Sequence, residues 1–186
     1  MDVKVIDYSA DNWQAVKNAA MNTIGKVSGR YPNSEWKRAI LKAEHSPIRL
    51  LTLTIRMTYI PYWVSVHLVR HHIGVEHFVS TQRTDRTGVD RNDLPQNAPV
   101  NHTISINAQA LINISRKRLC TQASPETRWV WNAVIEAVRK VEPELADACV
   151  PECVYRGFCP EMYPCGYADT AAFAADREKY ICGGTD

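Results

Sequence analysis

The first third of the chain has the apolar spacing of two helices. Along residues 11–28, apolar side chains recur every three or four positions, which indicates a helix with one buried face. Pro32 and Asn33 interrupt this pattern. Ser34 is expected to cap a second helix that carries a further apolar stripe. The chain therefore opens with paired helices, preceded by a short candidate strand at residues 3–6.

At residue 51 the apolar period changes from helical spacing to alternation. Residues 51–57 alternate apolar with polar side chains, as a half-buried strand does. Pro61 suits the first turn of a third helix, expected over about 61–72. Residues 78–81 are a candidate further strand. Strands and helices are thus mixed along the chain.

The second half of the chain is expected to be mainly helical. Residues 84–103 hold glycine, prolines and many small polar residues, which favours a long loop with a possible functional role. A helix is expected over about 107–120, and Ser124-Pro125 opens a longer one that Pro143 ends. From residue 149 we expect a loop region with a short helix near 168–180. The predicted class is α+β, predominantly helical.

Composition indicates an ordinary globular protein. The 186 residues are 45% hydrophobic and 23% charged, enough for one domain with its own core. The 22 basic and 20 acidic residues leave a net charge of +2, which gives no case for a sequence-independent polyanion binder. With no long apolar run and no signal-like start, a cytoplasmic location is expected. We divide the chain into a domain at 1–148 and a cysteine-rich tail at 149–186.

The tail concentrates four of the six cysteines. Cys149, Cys153, Cys159 and Cys165 lie among glycines and prolines that allow tight turns. Such clustering in a reducing compartment favours a metal site, with zinc ahead of iron. An iron–sulfur cluster uses the same ligands, and four free thiols are the remaining alternative. Cys182 is not expected to be a ligand, and Cys120 is expected to be a small buried residue.

A dense polar cluster follows the third predicted helix. It begins with Arg70-His71-His72 and continues through Glu76, His77 and Ser80 to Gln82-Arg83 and Arg86. Convergent cationic side chains suit phosphates or an electron-rich cofactor. The alternative is a solvated basic end of a helix that favours the helix dipole.

The order of these residues resembles a known signature. Arg70-His71-His72 followed by seven residues and Ser80 resembles the Arg-His-Arg-x7-Ser motif of the flavin-dependent thymidylate synthases (ThyX). Four other stretches are similar to blocks of that family, in family order: residues 19–23, 44–47, 91–95 and 107–118. Glu126 lies where the family has a further conserved glutamate position. The resemblance spans about residues 15–145.

The resemblance implies a fold, a reaction and an assembly. It implies helices packed on a mainly antiparallel sheet, with the cysteine-rich C-terminal loop region added. It implies reductive methylation of dUMP to dTMP, with FAD bound and with methylenetetrahydrofolate and NADPH as co-substrates. It also implies a homotetramer. The lack of a long apolar run and the near-neutral charge lead us to expect no membrane association and no nucleic-acid partner.

The resemblance also implies roles for individual residues. Arg70, His71 and Arg118 would form the catalytic group. FAD would contact Arg70, His71 and His72, together with Thr23, Ser46, Ile73, Asn107, Gln109 and Asn113. The nucleotide would contact Ser80, Arg91 and Arg118, with His67, Gln82 and Arg83 as further candidates. An Arg–phosphate fork suits Arg91, and Arg118 can stabilise negative charge on the uracil ring. From the residues alone, Arg118 could instead be a solvated basic residue and His67 a packed one.

Several positions depart from the family pattern. His72 replaces an arginine, Phe78 a glutamate, and both Gln82 and Gln109 replace arginines. The segment before Arg91 is also shorter than in the family. These changes motivate an alternative to thymidylate synthesis, a related flavin enzyme that modifies another pyrimidine nucleotide. The cysteine tail and the basic cluster motivate a second alternative, a non-catalytic nucleotide- or nucleic-acid-binding protein with a four-cysteine metal site.

Overall fold

The computed structural model describes residues 1–8 and 11–182. Its centre is a four-stranded sheet in the order β1-β2-β4-β3, and every neighbouring pair is antiparallel. The strands are β1 (Asp2–Tyr8), β2 (Thr52–Pro61), β3 (Val75–Val79) and β4 (Pro99–Asn107). This architecture, with helices packed on the sheet, confirms the predicted α+β class.

Helices follow the chain around this sheet. They are α1 (Asn12–Asn22), α2 (Ser34–Lys42), α3 (Tyr62–Val69), α4 (Thr84–Thr87), α5 (Ala108–Arg118), α6 (Pro125–Arg139), α7 (Pro143–Ala148), α8 (Glu152–Arg156) and α9 (Ala171–Cys182). Short 3-10 turns occupy Ser46–Leu50, Arg91–Asp93 and Tyr167–Asp169. Ser124 caps α6 as predicted, whereas α2 is capped by Asn33 rather than Ser34, through Oδ1 and the Trp36 amide at 3.0 Å.

The main error of the sequence prediction is the missed central strand. The expected loop over residues 84–103 ends in β4, whose residues alternate between buried and exposed. Pro99 and the buried polar His102 disguise this alternation, because strands are normally recognised by apolar runs without proline. The strand expected at 78–81 lies instead at Val75–Val79.

One face of the sheet forms the hydrophobic core. The buried side chains of β2 and β4 (Leu53, Ile55, Met57, Ile104 and Ile106) meet apolar residues of α5 and α6. The two helices are linked by Trp131, whose indole N–H donates to Ser115 Oγ at 2.9 Å. Burial of each such aliphatic side chain stabilises the fold by about 1.5–3 kcal/mol. The core thereby holds the C-terminal end of α5 in a defined place beside the sheet.

A buried carboxylate ties the N-terminal elements to the end of α6. Glu142 is only 3% exposed and accepts hydrogen bonds from Trp13 Nε1 at 2.7 Å and from the Tyr8 hydroxyl. Lys37 Nζ lies 3.7 Å from Glu142 Oε1, the oxygen that accepts from Tyr8. Strand β1 and helices α1 and α2 therefore share one polar anchor.

The tail is more helical than the sequence suggested. Helix α9 packs on α8, and Arg177 Nη1 donates to the Tyr155 carbonyl at 2.7 Å. The Lys42 ammonium donates to the Ile181 carbonyl at 2.7 Å, which connects α2 with α9. The division into 1–148 and 149–186 stays a prediction. Within residues 1–8 and 11–182, no helix is both long and apolar enough to cross a bilayer.

Candidate functional site

The ends of α3 and α5 bring together the three predicted catalytic residues. Arg70 is the C-cap of α3, His71 follows it, and Arg118 is the last residue of α5. Arg118 Nε donates to His71 Nε2 at 2.9 Å, and Arg118 Nη2 donates to the His67 carbonyl at 3.1 Å. The fold thus joins residues that are far apart along the chain. The His67 ring faces Thr127 Oγ1 at 3.3 Å and therefore acts in packing α3 on α6.

This contact defines the protonation state of His71. Because Arg118 Nε can only donate, His71 Nε2 accepts and the ring carries its proton on Nδ1. Burial, together with the charge of Arg118, lowers the pKa of His71 to about 4. Near pH 7 the site therefore pairs a neutral imidazole with a guanidinium. Within the described residues, no carboxylate forms an ion pair with Arg70 or Arg118, so the site attracts anions and electron-rich rings.

Two further histidines support the His71 segment from the sheet. His77 Nε2 donates to the His71 carbonyl at 2.6 Å, and His77 Nδ1 lies 2.9 Å from His102 Nε2. His102 is fully buried, and its Nδ1 has no hydrogen-bond partner in the described part of the chain. Burial, together with the nearby His77 ring, lowers the pKa of His102 to about 4, so the His102 ring is neutral near pH 7. The sequence reasoning gave neither histidine this supporting role, because only the strand alternation places His102 inward.

We expect the buried histidine to make stability depend on pH. An unfolded histidine binds a proton below its ordinary pKa near 6.5, whereas folded His102 stays neutral until about 4. Stability is therefore full above pH 6.5 and falls as the pH drops, by about 2 kcal/mol from this group at pH 5. Urea unfolding at pH 7 and pH 5 should show a smaller pH effect in His102→Asn than in the wild type. The exposed His45, changed to Asn, is the control, and equal pH effects in all three proteins would contradict the assignment.

A second polar cluster holds two of the predicted flavin-binding amides. Gln109 Nε2 donates to Glu44 Oε2 at 2.6 Å, and Glu44 also pairs with Arg116. Asn113 Oδ1 accepts from Gln109 Nε2 and from Arg116 Nη1, each at 3.3 Å. Gln109 and Asn113 therefore lie together on α5, next to the turn that Ser46 begins.

Gly74 and Asn107 form a close crossing at the start of α5. Asn107 caps that helix because its side-chain Oδ1 accepts from the Ala110 backbone N–H at 2.9 Å. The backbone N–H of Asn107 donates to the Gly74 carbonyl at 3.0 Å. Gly74 has φ +74°, and a Cβ added there would lie 2.5 Å from Asn107 Nδ2. Asn107, predicted to contact FAD, therefore also has a structural role.

We expect Gly74→Ala to destabilise the protein by about 1–3 kcal/mol, through left-handed backbone strain and displacement of the Asn107 side chain. Gly25→Ala is a matched control, because Gly25 has φ +68° but nothing within 4 Å of an added Cβ. Thermal unfolding should show a clearly larger loss at Gly74. Equal losses would mean that the Asn107 contact carries no energy.

The predicted nucleotide contacts lie mostly on the segment between β3 and β4. Ser80 Oγ accepts from the Asn101 backbone N–H at 3.0 Å. Arg83 donates two hydrogen bonds to the Asp85 carboxylate, at 2.8 and 2.9 Å. Arg91 is exposed, and its guanidinium has no ion pair among the described residues. No hydrogen bond within the described part of one chain joins this segment's Ser80, Arg83 or Arg91 to the His71–Arg118 pair.

The remaining candidates are spread over the surface around these groups. Thr23 is the C-cap residue after α1, and its hydroxyl donates to the Ala20 carbonyl at 2.7 Å. Ile73 is 82% exposed directly after the exposed His72. Gln82 lies beyond β3, two residues after Ser80. The role of each in binding stays a prediction.

The tail cysteines do not form the predicted four-ligand set. Cys149 is buried in the hydrophobic core, next to Ser115, whereas Cys165 is exposed. In residues 1–8 and 11–182, no three His, Cys, Asp or Glu side chains are grouped so as to hold a single metal ion. The prediction that Cys149, Cys153, Cys159 and Cys165 together bind zinc is therefore wrong. Cys149 is packed in the hydrophobic core at the end of α7, away from the exposed Cys165.

Sequence comparison relates the central part of the chain to one enzyme family. Residues 89–144 match the family model described as thymidylate synthase complementing protein. That range includes Arg91, Asn107, Gln109, Asn113 and Arg118, whereas Arg70 and His71 lie before it.

Two curated relatives are both named flavin-dependent thymidylate synthase. The chain is 32% identical over 92 residues to the flavin-dependent thymidylate synthase of Nitratidesulfovibrio vulgaris, covering 46% of this chain and 38% of that protein. It is 42% identical over 65 residues to that of Clostridium tetani, covering 34% and 26%. The chain thus spans less than two fifths of the length of these relatives.

Solved structures extend the similarity of the fold over most of the chain. The ThyX structure of Helicobacter pylori complexed with FAD and dUMP superposes with a TM-score of 0.65 at 13% identity, covering 81% of this chain and all of that chain. A UMP/dUMP methylase, PolB from Streptomyces cacaoi bound with 5-Br dUMP, has a TM-score of 0.59 at 16% identity, covering 78% and 93%.

Proposed function

We propose that this chain, a divergent relative of the flavin-dependent thymidylate synthases, binds FAD and methylates a uracil nucleotide. The reaction proposed first is the reductive methylation of dUMP to dTMP, with methylenetetrahydrofolate as carbon donor and NADPH as reductant. The contact between Arg118 and His71, beside Arg70, carries this proposal. The contact lies at the positions that the motif resemblance marks as catalytic. The positive charge of Arg118 suits stabilisation of the negative charge that develops on the uracil ring during the reaction.

The hydrogen bonds of Arg118 leave one end of its guanidinium for a ligand. Nε and Nη2 are used by His71 and His67, and Nη1 has no hydrogen-bond partner in the part of the chain that the structure describes. A fixed guanidinium can stabilise negative charge on a uracil carbonyl without reorganising during the reaction. Neutral His71, which holds its proton on Nδ1, can donate a second hydrogen bond. Arg118 and His71 would therefore orient and polarise the pyrimidine.

The residues around this pair fit a flavin. Arg70 is a cation without a carboxylate partner among the described residues, and Ile73 offers an exposed apolar surface to an aromatic ring. We propose that these residues, with His71, His72, Thr23, Ser46, Asn107, Gln109 and Asn113, hold FAD. When bound, FAD would supply the hydride chemistry, while the protein supplies position and charge.

Completion of the site is proposed to need neighbouring subunits, in a homotetramer. No hydrogen bond joins Ser80 or Arg91 to the His71–Arg118 pair within the described part of one chain. Apolar side chains are exposed on two strands of the sheet and just before β3 (Tyr59 in β2, Phe78 in β3 and Ile73). Contacts between copies could bury these side chains. Size-exclusion chromatography with light scattering should give a tetramer, and a monomer at assay concentration would contradict this part of the proposal.

A second candidate is methylation of another pyrimidine nucleotide. The fold similarity to a UMP/dUMP methylase favours it, as do His72, Phe78, Gln82 and Gln109 at positions where the family differs. A non-catalytic nucleotide- or nucleic-acid-binding role is the weaker alternative, because the net charge of +2 provides little attraction for a polyanion. Turnover of UMP but not dUMP would select the second candidate.

The binding part of the proposal is tested by absorption spectroscopy. The protein should bind added FAD, and dUMP should then perturb the flavin absorption, because the two ligands would share one site. Failure to bind FAD would end the proposal. Binding of FAD with no response to dUMP or UMP would leave a flavoprotein of another kind.

We expect Arg91→Ala to weaken dUMP binding about tenfold to a hundredfold, since a lost charged hydrogen bond to phosphate costs roughly 1.5–3 kcal/mol. The control is Arg86→Ala, on the same segment, because Arg86 lies 3.7 Å from Asp85 and is already partnered. Titration of the FAD-loaded proteins with dUMP measures both affinities. Equal affinities in the two variants would remove Arg91 from the site.

A further inference from the structure

Two histidines are neighbours on the same face of strands β3 and β4. In the antiparallel register His77 pairs with Ile104 and Val79 pairs with His102, so His77 and His102 are diagonal neighbours on that face. Their ring centroids are 5.1 Å apart, and His77 Nδ1 lies 2.9 Å from His102 Nε2. The pairing of the two strands therefore sets the position of one ring relative to the other.

The hydrogen bond from His77 to the turn after α3 is the same in either protonation state of His77. A carbonyl oxygen only accepts, so His77 Nε2 carries the hydrogen that it donates to the His71 carbonyl at 2.6 Å. His77 Nδ1 then either accepts from His102 Nε2 or donates to it, and one hydrogen bond joins the rings in both cases. The histidine pair thus holds the His71 carbonyl against the sheet.

The position of this carbonyl sets the direction of the next backbone N–H. The peptide between His71 and His72 is trans and planar, so its C=O and its N–H point in opposite directions. Because the carbonyl faces His77, the His72 N–H points away from that ring, and it has no hydrogen-bond partner among the described residues. Arg70 and Ile73 are exposed beside it. The turn therefore presents a free backbone donor among side chains proposed to hold FAD.

The backbone of this turn is otherwise held near its two ends. The His71 N–H donates to the Leu68 carbonyl at 3.0 Å, and the Gly74 carbonyl accepts from the Asn107 N–H at 3.0 Å. Between these two points, His77 provides the one hydrogen bond from the sheet to the turn's backbone within the described residues. Without this hydrogen bond, the exposed peptide between His71 and His72 would be free to rotate.

We propose that His77 is a positioning residue for the FAD-binding turn at residues 70–73, and that the buried His102 holds the His77 ring in place. The inference rests on the proposed function, because it assigns a flavin to this turn. His77 acts through the His71 carbonyl rather than by contact with the ligand. His102 is fully buried, so it provides a fixed partner for a ring that is itself only half-buried.

Titration of the full chain with FAD, followed by flavin absorption, tests the role of His77. His77→Leu should weaken FAD binding about tenfold, the usual effect of losing one ordering hydrogen bond. His77→Gln should bind FAD within about twofold of the wild type, because the glutamine amide N–H can take the place of Nε2–H. His102→Leu should weaken binding about threefold, since the donor to the His71 carbonyl remains but loses its support.

Val100→Ala is the control for a general loosening of the sheet. Val100 is buried in β4 two residues before His102, and its truncation leaves both histidine contacts in place. This variant should melt at a lower temperature but bind FAD like the wild type. Hydrogen exchange of the flavin-free proteins adds a second readout: residues 70–74 should exchange faster in His77→Leu than in His77→Gln or Val100→Ala.

The outcomes separate this inference from the proposed function. Wild-type protein that binds no FAD would overturn the proposed function and the positioning role with it. Wild-type affinity in His77→Leu, or equal losses in His77→Leu and either His77→Gln or Val100→Ala, would overturn the positioning role and leave the proposed function standing. If His77→Leu does not fold, His102→Leu decides the question, and wild-type affinity in that variant would overturn the role of the histidine pair.

Discussion

Replacing Arg118 by alanine is expected to lower kcat/KM for nucleotide methylation by at least about a hundredfold, the usual effect of losing a fixed donor to a developing anion. The variant also loses both hydrogen bonds that hold the guanidinium against α3, at His71 Nε2 and the His67 carbonyl. The loss of these two hydrogen bonds should lower the stability by about 1–3 kcal/mol, a moderate effect because Arg118 ends its helix and makes no ion pair with a described carboxylate. Steady-state kinetics with dUMP, beside circular dichroism of the variant, measure the two effects.

Lys117→Ala is the matched control for this substitution. Lys117 is the adjacent cation, but it is exposed and lies 3.5 Å from Glu152 on the side of the tail. If general positive charge at the end of α5 were sufficient, both variants would lose similar activity. A large loss in Lys117→Ala, or an active Arg118→Ala enzyme, would show that the Arg118–His71 contact is not the catalytic group.

Loss of the buried Glu142 carboxylate should cause the largest loss of stability. Glu142→Ala removes the acceptor for Trp13 Nε1 and for the Tyr8 hydroxyl, and it leaves Lys37 without its nearby carboxylate. Removing one partner from a buried charged network costs about 3–5 kcal/mol, because the groups left behind are desolvated and unpaired. Chemical denaturation at neutral pH should show a loss of this size.

Two comparison variants show which property of Glu142 matters. Glu142→Gln keeps an acceptor and should lose less stability than Glu142→Ala. Glu136→Ala removes an exposed carboxylate 3.5 Å from Arg139 and should cost less than about 1 kcal/mol. A loss at Glu142 no larger than at Glu136 would contradict the role of the buried anchor.

The fold was predictable where local periodicity and burial agree. Helices α5 and α6 follow their apolar stripes and caps, and the alternation in β2 matches its buried positions. Strand β4 was missed because its inward positions include His102, which only the tertiary contact with His77 explains. The prolines at 95 and 99 locally favour a turn or loop. Residues 99–107 form a strand because they pair with β2 and β3 in the sheet.

The candidate site was predictable as a set of residues but not as an arrangement. The motif order pointed to Arg70, His71 and Arg118, and the fold places them together. The link from Gln109 to Glu44 and the support of His71 by His77 depend on long-range contacts that no spacing reveals.

Product analysis after turnover is the most direct test of the account. The FAD-loaded protein, supplied with methylenetetrahydrofolate, NADPH and dUMP, should form dTMP, and Arg118→Ala should form almost none. UMP run in parallel distinguishes the two pyrimidine substrates. Formation of no methylated nucleotide from either one, by protein that demonstrably binds FAD, would contradict the proposal that the Arg118–His71 pair serves uracil methylation.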